Sequence, residues 1–99
     1  MLLGKLNLIL SDYLQAKVQL KRALIRLIDM AKEEKIPYET TVEVHYDLGS
    51  VNYKLKDYQE SVEHYREAIV MLQENNGDPY WTNVVAGNLG LAYLRAGLN

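Results

Sequence analysis

Few side chains in this sequence have both the type and the spacing that chemistry requires. His45 and His64 are its two histidines, and His64 follows Glu60 by one helical turn, which sets an imidazole beside a carboxylate. That edge supplies two ligands, whereas a structural metal site needs about four. No third ligand stands at a suitable spacing, so a solvent-facing pair is expected and no metal is assigned. His45 falls on a hairpin-facing position, where a packed, hydrogen-bonded imidazole is the expectation. Cysteine is absent, which excludes disulfides and thiolate metal sites. Without a cysteine nucleophile, a glycine-rich phosphate loop or a serine elbow, nothing points to an enzyme or a cofactor.

Tyrosine is the conspicuous residue, with eight copies against no phenylalanine. Tyr13, Tyr58, Tyr65 and Tyr93 fall on positions that recur along the chain and are expected to bury their rings. Tyr46 and Tyr53 fall opposite the stripe of their own helix, with Glu43, Asp47, Ser50 and Lys54. Lys17, Lys21, Arg22 and Arg26 form a basic face that reads as solvated, their stems covering apolar surface. The net charge of −2 is too small to imply nucleic acid. The opening Met1 to Leu10 run is interrupted by Lys5 and Asn7 and is too short to span a bilayer, so neither a signal segment nor a membrane partner is expected. A cytoplasmic location is the resulting expectation.

Helices must position these residues. Val44, Leu48, Val51 and Leu55 recur on one helix face, and Tyr58, Val62, Tyr65 and Ile69 on another. Lys56-Asp57 separates the two stripes as a tight turn. Asp57 with Glu60 reads as a capping box for the second helix, and Asp12 with Gln15 for an earlier one running to about Lys35. Upstream of Val44 the helix starts either at Pro37 or at a Thr40–Glu43 box. In Asn75-Asn76-Gly77-Asp78-Pro79, Gly77 can close one helix, Asp78 cap the next and Pro79 open it. Gly49 and Ala68 let neighbouring backbones approach closely, with Tyr65 filling the space beside them.

These residues resemble the tetratricopeptide repeat, whose pattern runs W-x2-L-G-x2-Y, then A-x3-F, then a late proline. The chain has His45-x2-Leu48-Gly49-x2-Asn52 and Ser61-x3-Tyr65, with Gln73 at the proline position. Further copies support the resemblance. Leu3-Gly4, Asp12-Tyr13, Gln15 and Ala23 precede Leu48-Gly49, Asp57-Tyr58, Glu60 and Ala68 by 45 residues, and Ala86-x2-Leu89-Gly90-x2-Tyr93 follows the central motif by 41. Both spacings exceed the usual value of about 34 and resemble the longer repeats of kinesin light chains, spindle adaptor scaffolds and bacterial sensor and regulator proteins. The expected fold is all-α, a right-handed solenoid of antiparallel helix hairpins with about five helices. Residues 1–36 form a shortened first repeat, 37–76 a complete repeat, and 77–99 the first helix of a further repeat. Both ends look cut from a longer array.

The resemblance implies a protein or peptide ligand held in a concave groove lined by successive first helices. Carried over residue by residue, that face consists of Lys5, Leu8 and Ile9, then Glu43, Tyr46, Asp47, Ser50, Tyr53 and Lys54, then Val84, Gly87, Asn88, Leu91, Leu94 and Arg95. Lys5, Tyr46, Asp47, Ser50, Tyr53, Lys54, Asn88, Leu91, Leu94 and Arg95 are the candidate binding residues. Asn88 matches a position where the family uses asparagine to hold a ligand backbone. Lys5, Lys54 and Arg95 would align as three cations, which favours acidic segments with apolar anchors. Leu91 and Leu94 serve either as those anchors or as packing for a missing neighbour. The family's two-carboxylate clamp needs basic residues where this chain has Asp47 and Val84, so that partner is disfavoured. The competing readings are a purely structural fragment, self-associating through Val85, Leu89 and Ala92 of an unpaired terminal helix, and part of a bacterial peptide-sensing regulator.

Overall fold

A computed structural model describes the backbone of residues 2–97 and the side chains of residues 9–97. The expectations for the side chains of Leu3, Lys5 and Leu8, and for Leu98 and Asn99, lie outside the described residues. Among those described, four α-helices and no strand are present: α1 Leu2–Ala31, α2 Tyr38–Lys54, α3 Tyr58–Glu74 and α4 Pro79–Ala96. Each packs against the next in sequence.

The central hairpin follows from its local signals. Pro37 precedes the first residue of α2, settling the start in favour of Pro37 over Thr40, and the helix ends one residue before Leu55. Lys56 then adopts φ 64°, reversing the chain so that α3 begins after Asp57. Asp57 is the N-cap by position, but its side chain makes no cap hydrogen bond. The expected capping box is therefore absent. Asp57 and Glu60 turn instead to α1, where Lys17 Nζ lies 3.2 Å from both carboxylates and Lys21 Nζ 3.4 Å from Glu60. A charge-assisted contact with a lysine displaces the weaker bond to a backbone N–H. Burial by itself would lower the pKa of Lys17 and raise that of Glu60. Their mutual hydrogen bond and opposite charges outweigh it, so Lys17 is raised and Glu60 lowered.

The core lies between α2, α3 and α4, with Leu48, Ala68, Val85 and Ala92 wholly buried and Val62, Tyr65 and Leu72 nearly so. Gly49 sits directly under the Tyr65 ring: a Cβ placed there would come within 2.6 Å of the ring. Two polar residues at motif positions are also fully buried and each donates a local hydrogen bond, while Asn52 Oδ1 has no partner among the described residues. Ser61 Oγ donates to the Gly49 carbonyl at 2.7 Å, and Asn52 Nδ2 donates to the Leu48 carbonyl at 2.9 Å. The first of these ties the hairpin together where the motif has alanine.

At the next turn the left-handed residue is Asn76, φ 50°, rather than Gly77. Gly77 matters through size, since its missing side chain leaves room for Leu72 and the Tyr38 hydroxyl. Asp78 caps α4 as expected, accepting from Tyr80 N at 2.9 Å, with Pro79 in the first turn. Gly97 ends α4 in the left-handed conformation at φ 71°.

Two expectations are corrected. The first hairpin does not form, because α1 runs unbroken through Ser11-Asp12 and ends at Ala31, so the count is four helices rather than about five. Ser11 corresponds to Lys56, yet no glycine or proline interrupts residues 5–36. Reversing the chain at a residue with a Cβ costs about 1–2 kcal/mol, and an unbroken run of helix-compatible residues avoids that cost. The second correction concerns α4. Val85 and Ala92 are buried and Leu89 packs against the same core, so the three residues expected in a self-association contact are already covered within the chain. The exposed apolar faces lie elsewhere, on α1 at Leu10, Leu14, Val18, Ile25 and Ile28, and on α4 at Tyr80, Trp81, Leu91 and Leu94.

Candidate interaction groove

Helices α2 and α4 lie side by side and parallel. Asn88 Nδ2 donates to the Tyr46 hydroxyl at 3.3 Å, and Arg95 lies at the Tyr53 hydroxyl one heptad further along both helices. The repeat spacing creates this register, since equivalent turns of the two helices are brought level. Their shared surface carries two clefts with the Tyr46–Asn88 contact between them.

The first cleft, about 410 Å³, is lined by Ser50, Tyr53, Lys54, Lys56, Tyr58, Tyr65, Asn88 and Leu91. Ser50, Tyr53, Lys54, Asn88 and Leu91 were expected on this face. Each is held in a particular way. Ser50 Oγ and the Tyr65 hydroxyl are 2.9 Å apart, and burial, partly offset by that bond, raises the Tyr65 pKa. Tyr53 stands edge-on to Tyr58 with ring centroids 5.3 Å apart. Lys54 Nζ lies 5.8 Å from the Tyr13 ring centroid, so α1 holds one wall of the cleft by a cation–π contact. Leu91 is 51% exposed, an apolar group on display.

The second cleft, about 310 Å³, is lined by Glu39, Val42, Glu43, Tyr46, Asp47, Leu72 and Trp81. Trp81 stands edge-on to Tyr46 at 5.7 Å, and Tyr46 also packs against Tyr65 at 5.7 Å. Burial, with the neighbouring charge of Glu43, raises the Asp47 pKa. Tyr46 and Asp47 therefore belong to a different cleft from the remaining candidates. Leu94 and Arg95 line neither cleft and stand beside the first, with Leu94 60% exposed. Lys5 lies outside the described side chains, so the expected row of three cations reduces to Lys54 and Arg95, and the structure adds Lys56.

The expected role of Asn88 changes. Both hydrogens of its amide nitrogen are directed within the chain, to Tyr46 Oη and to the Val84 carbonyl at 3.1 Å. What remains for a ligand is its oxygen, an acceptor. Tyr46 and Tyr53 are half-buried and packed on the core, so they are part wall and part foundation.

Sequence reasoning missed three residues of this surface. Lys56 stands in the sequence as a turn residue and Tyr58 as a core one, and Trp81 belongs to no motif there. The antiparallel register of the hairpin would also have found a pairing of the two histidines, which approach to 3.1 Å between their Nδ1 atoms. Burial chiefly lowers both pKa values. His64 lowers His45 further while Glu67 opposes, and Glu60 and Glu63 oppose the shift at His64 against Lys21 and Lys17. The expected solvent-facing Glu60–His64 pair is replaced by an imidazole pair and a Glu60–lysine pair. Among the described residues, no group of three or more His, Cys, Asp or Glu side chains is placed to hold a metal ion. No described helix is long and apolar enough to cross a membrane.

One helix hairpin, α2–α3, followed by α4 running parallel to α2 and sharing a surface with it, is the arrangement of a helical repeat. The particular repeat is given by the match of residues 42–75 to the family model of the tetratricopeptide repeat. Over those residues the central hairpin is similar to a tetratricopeptide repeat. No curated protein and no solved structure matches the chain.

Proposed function

We propose that the chain is a protein or peptide interaction module that holds an extended or helical segment of a partner along the surface shared by α2 and α4. The repeat family is generally a non-enzymatic scaffold for such contacts. The observation that carries the proposal is the first cleft, where the exposed Leu91 and the Tyr53 ring stand beside Lys54, Lys56 and Asn88. Apolar surface for area with a few polar groups for direction is the composition of a binding site. The cations favour acidic groups on the ligand, and the free oxygen of Asn88 favours a backbone N–H.

A peptide-array screen followed by titration calorimetry tests this. Losing an aromatic anchor costs about 2 kcal/mol or more, whereas an exposed charge contact is worth about 0.2–1 kcal/mol and weakens with salt. Tyr53→Ala is expected to reduce affinity more than Lys54→Ala, and only Lys54→Ala to flatten the salt dependence. Selected ligands without acidic bias, or unchanged affinity in both variants, would refute the groove.

A second reading draws on α1, whose Leu10, Leu14, Val18, Ile25 and Ile28 are all exposed. They recur along one side of the helix away from α2, a pattern that supports stacking on further repeats or on a second copy. A peptide-sensing regulator would be a special case of the first reading.

A further inference from the structure

The second cleft is unlike the first in charge, and that difference suggests what the bound segment must carry. Its walls are apolar and aromatic: Val42, Leu72, Tyr46 and Trp81. Its rim is acidic, with Glu39, Glu43 and Asp47 on α2. Among the described residues none of these three carboxylates forms a salt bridge, although Asp47 is half-buried. A half-buried carboxylate beside a second carboxylate is raised in energy until a cation arrives. Trp81 keeps 46% of its surface exposed, so its ring is open to a ligand.

Resting on the groove reading above, we propose that this cleft holds a cationic side chain of the bound segment, with its aliphatic stem on Trp81 and Tyr46 and its charge among Glu39, Glu43 and Asp47. An arginine suits it best, because a guanidinium stacks on aromatic faces and is less tightly hydrated than an ammonium. A hydrated metal ion suits it poorly, since apolar walls offer no oxygen ligands to replace its waters. The groove is then bipolar, with Lys54 and Lys56 at one end and the carboxylates at the other. A helical rise of about 1.5 Å per residue places Asp47 about 10 Å and Glu43 about 16 Å from Lys54 along α2. That span corresponds to roughly three to five residues of an extended segment. The partner chemistry is an apolar segment carrying one cation and one carboxylate at about that separation.

Trp81 is the sole tryptophan of the chain, so its fluorescence reports directly on the second cleft. The probe is a nine-residue peptide with leucine anchors and an arginine four residues from a glutamate, compared with the same peptide carrying citrulline for arginine. Citrulline keeps the shape and removes the charge. Anisotropy of a labelled peptide gives affinity, and Trp81 emission gives location. The arginine peptide is expected to bind about fivefold more tightly than the citrulline peptide, the scale of one to two exposed charge contacts. It is also expected to shift Trp81 emission, and the preference is expected to vanish in an E43Q/D47N double variant that preserves side-chain size. If both peptides bind equally while Tyr53→Ala still weakens them, the cationic subsite is refuted and the groove survives. If the preference persists undiminished in the double variant, the charge is being read elsewhere and the subsite is refuted. If neither peptide binds and Trp81 does not respond, the groove and its subsite fall together.

Discussion

The same substitution at two equivalent glycines is expected to have opposite effects. Gly49 and Gly90 follow Leu48 and Leu89 in successive copies of one motif, and both lie within helices. A Cβ on Gly49 would meet Cε1, Cδ1 and Cγ of Tyr65 at 2.6, 2.7 and 2.9 Å, whereas one on Gly90 meets nothing within 4 Å among the described residues. Alanine in place of glycine inside a helix gains about 1 kcal/mol by restricting the unfolded chain. At Gly90 nothing opposes that gain. At Gly49 the Tyr65 ring must move, yet it is only 3% exposed and its hydroxyl is held at Ser50. Overpacking of this kind costs about 1–3 kcal/mol, so Gly49→Ala is expected to lose about 1 kcal/mol net and Gly90→Ala to gain about 1. For a domain of this size each kcal/mol moves the melting temperature by about 4–8 °C. Thermal unfolding followed by circular dichroism reads both. A Gly49→Ala protein that melts at or above the parent temperature would show that the helices can part at no cost. A Gly90→Ala protein that melts lower would show that the second glycine faces a partner after all.

The histidine pair sets a pH dependence. With Nδ1 atoms 3.1 Å apart, at least one nitrogen must be bare to accept, so two imidazoliums cannot share the contact. Both folded pKa values lie below the ordinary 6.5, so the unfolded chain binds more protons there; the pair's contribution is complete above pH 6.5 and is lost as pH falls through the lowered values. Urea unfolding at a series of pH values measures the slope, and His64→Gln should flatten it. Lys17→Met removes the lysine shared by Asp57 and Glu60 and leaves Lys21 on Glu60, and we expect a loss of about 1 kcal/mol that shrinks in high salt; an unchanged urea midpoint would mean that the Lys17 contacts do not help to hold α1. The exposed apolar side of α1 predicts concentration-dependent association, to be seen as rising mass in light scattering and reduced by Leu14→Glu with Ile25→Glu. A monomer across the concentration range would count against stacking through α1.

The parts of the fold legible in the sequence are those with local causes. The starts of α2 and α4 follow from Pro37 and Asp78-Pro79, because restricted φ and the loss of a backbone donor act within a few residues whatever the rest of the chain does. Which residues of α2 share a side was legible for the same kind of reason, since a helical period fixes it. Helix α1 was not. Asp12-Tyr13 and Asp57-Tyr58 are the same pair of residues, yet one lies mid-helix and the other follows a reversal. The reversal at Lys56 is strained, and the burial of Val62, Tyr65 and Ala68 against α2 offsets that strain.

By itself, then, the sequence determined the helical class and the central hairpin, since propensity and periodicity are short-range. Only the tertiary structure decided what those side chains meet. It sent Asp57 and Glu60 to Lys17 rather than to a cap, turned the amide of Asn88 towards Tyr46, and covered Val85, Leu89 and Ala92 with the rest of the core. It also set His45 against His64 and gathered Trp81 with Asp47 around one cleft and Lys56 with Leu91 around another. In each case the deciding partner lies on another helix. A residue's own letters record its preferences, but the competition among possible partners is settled only when packing brings those partners within bonding distance.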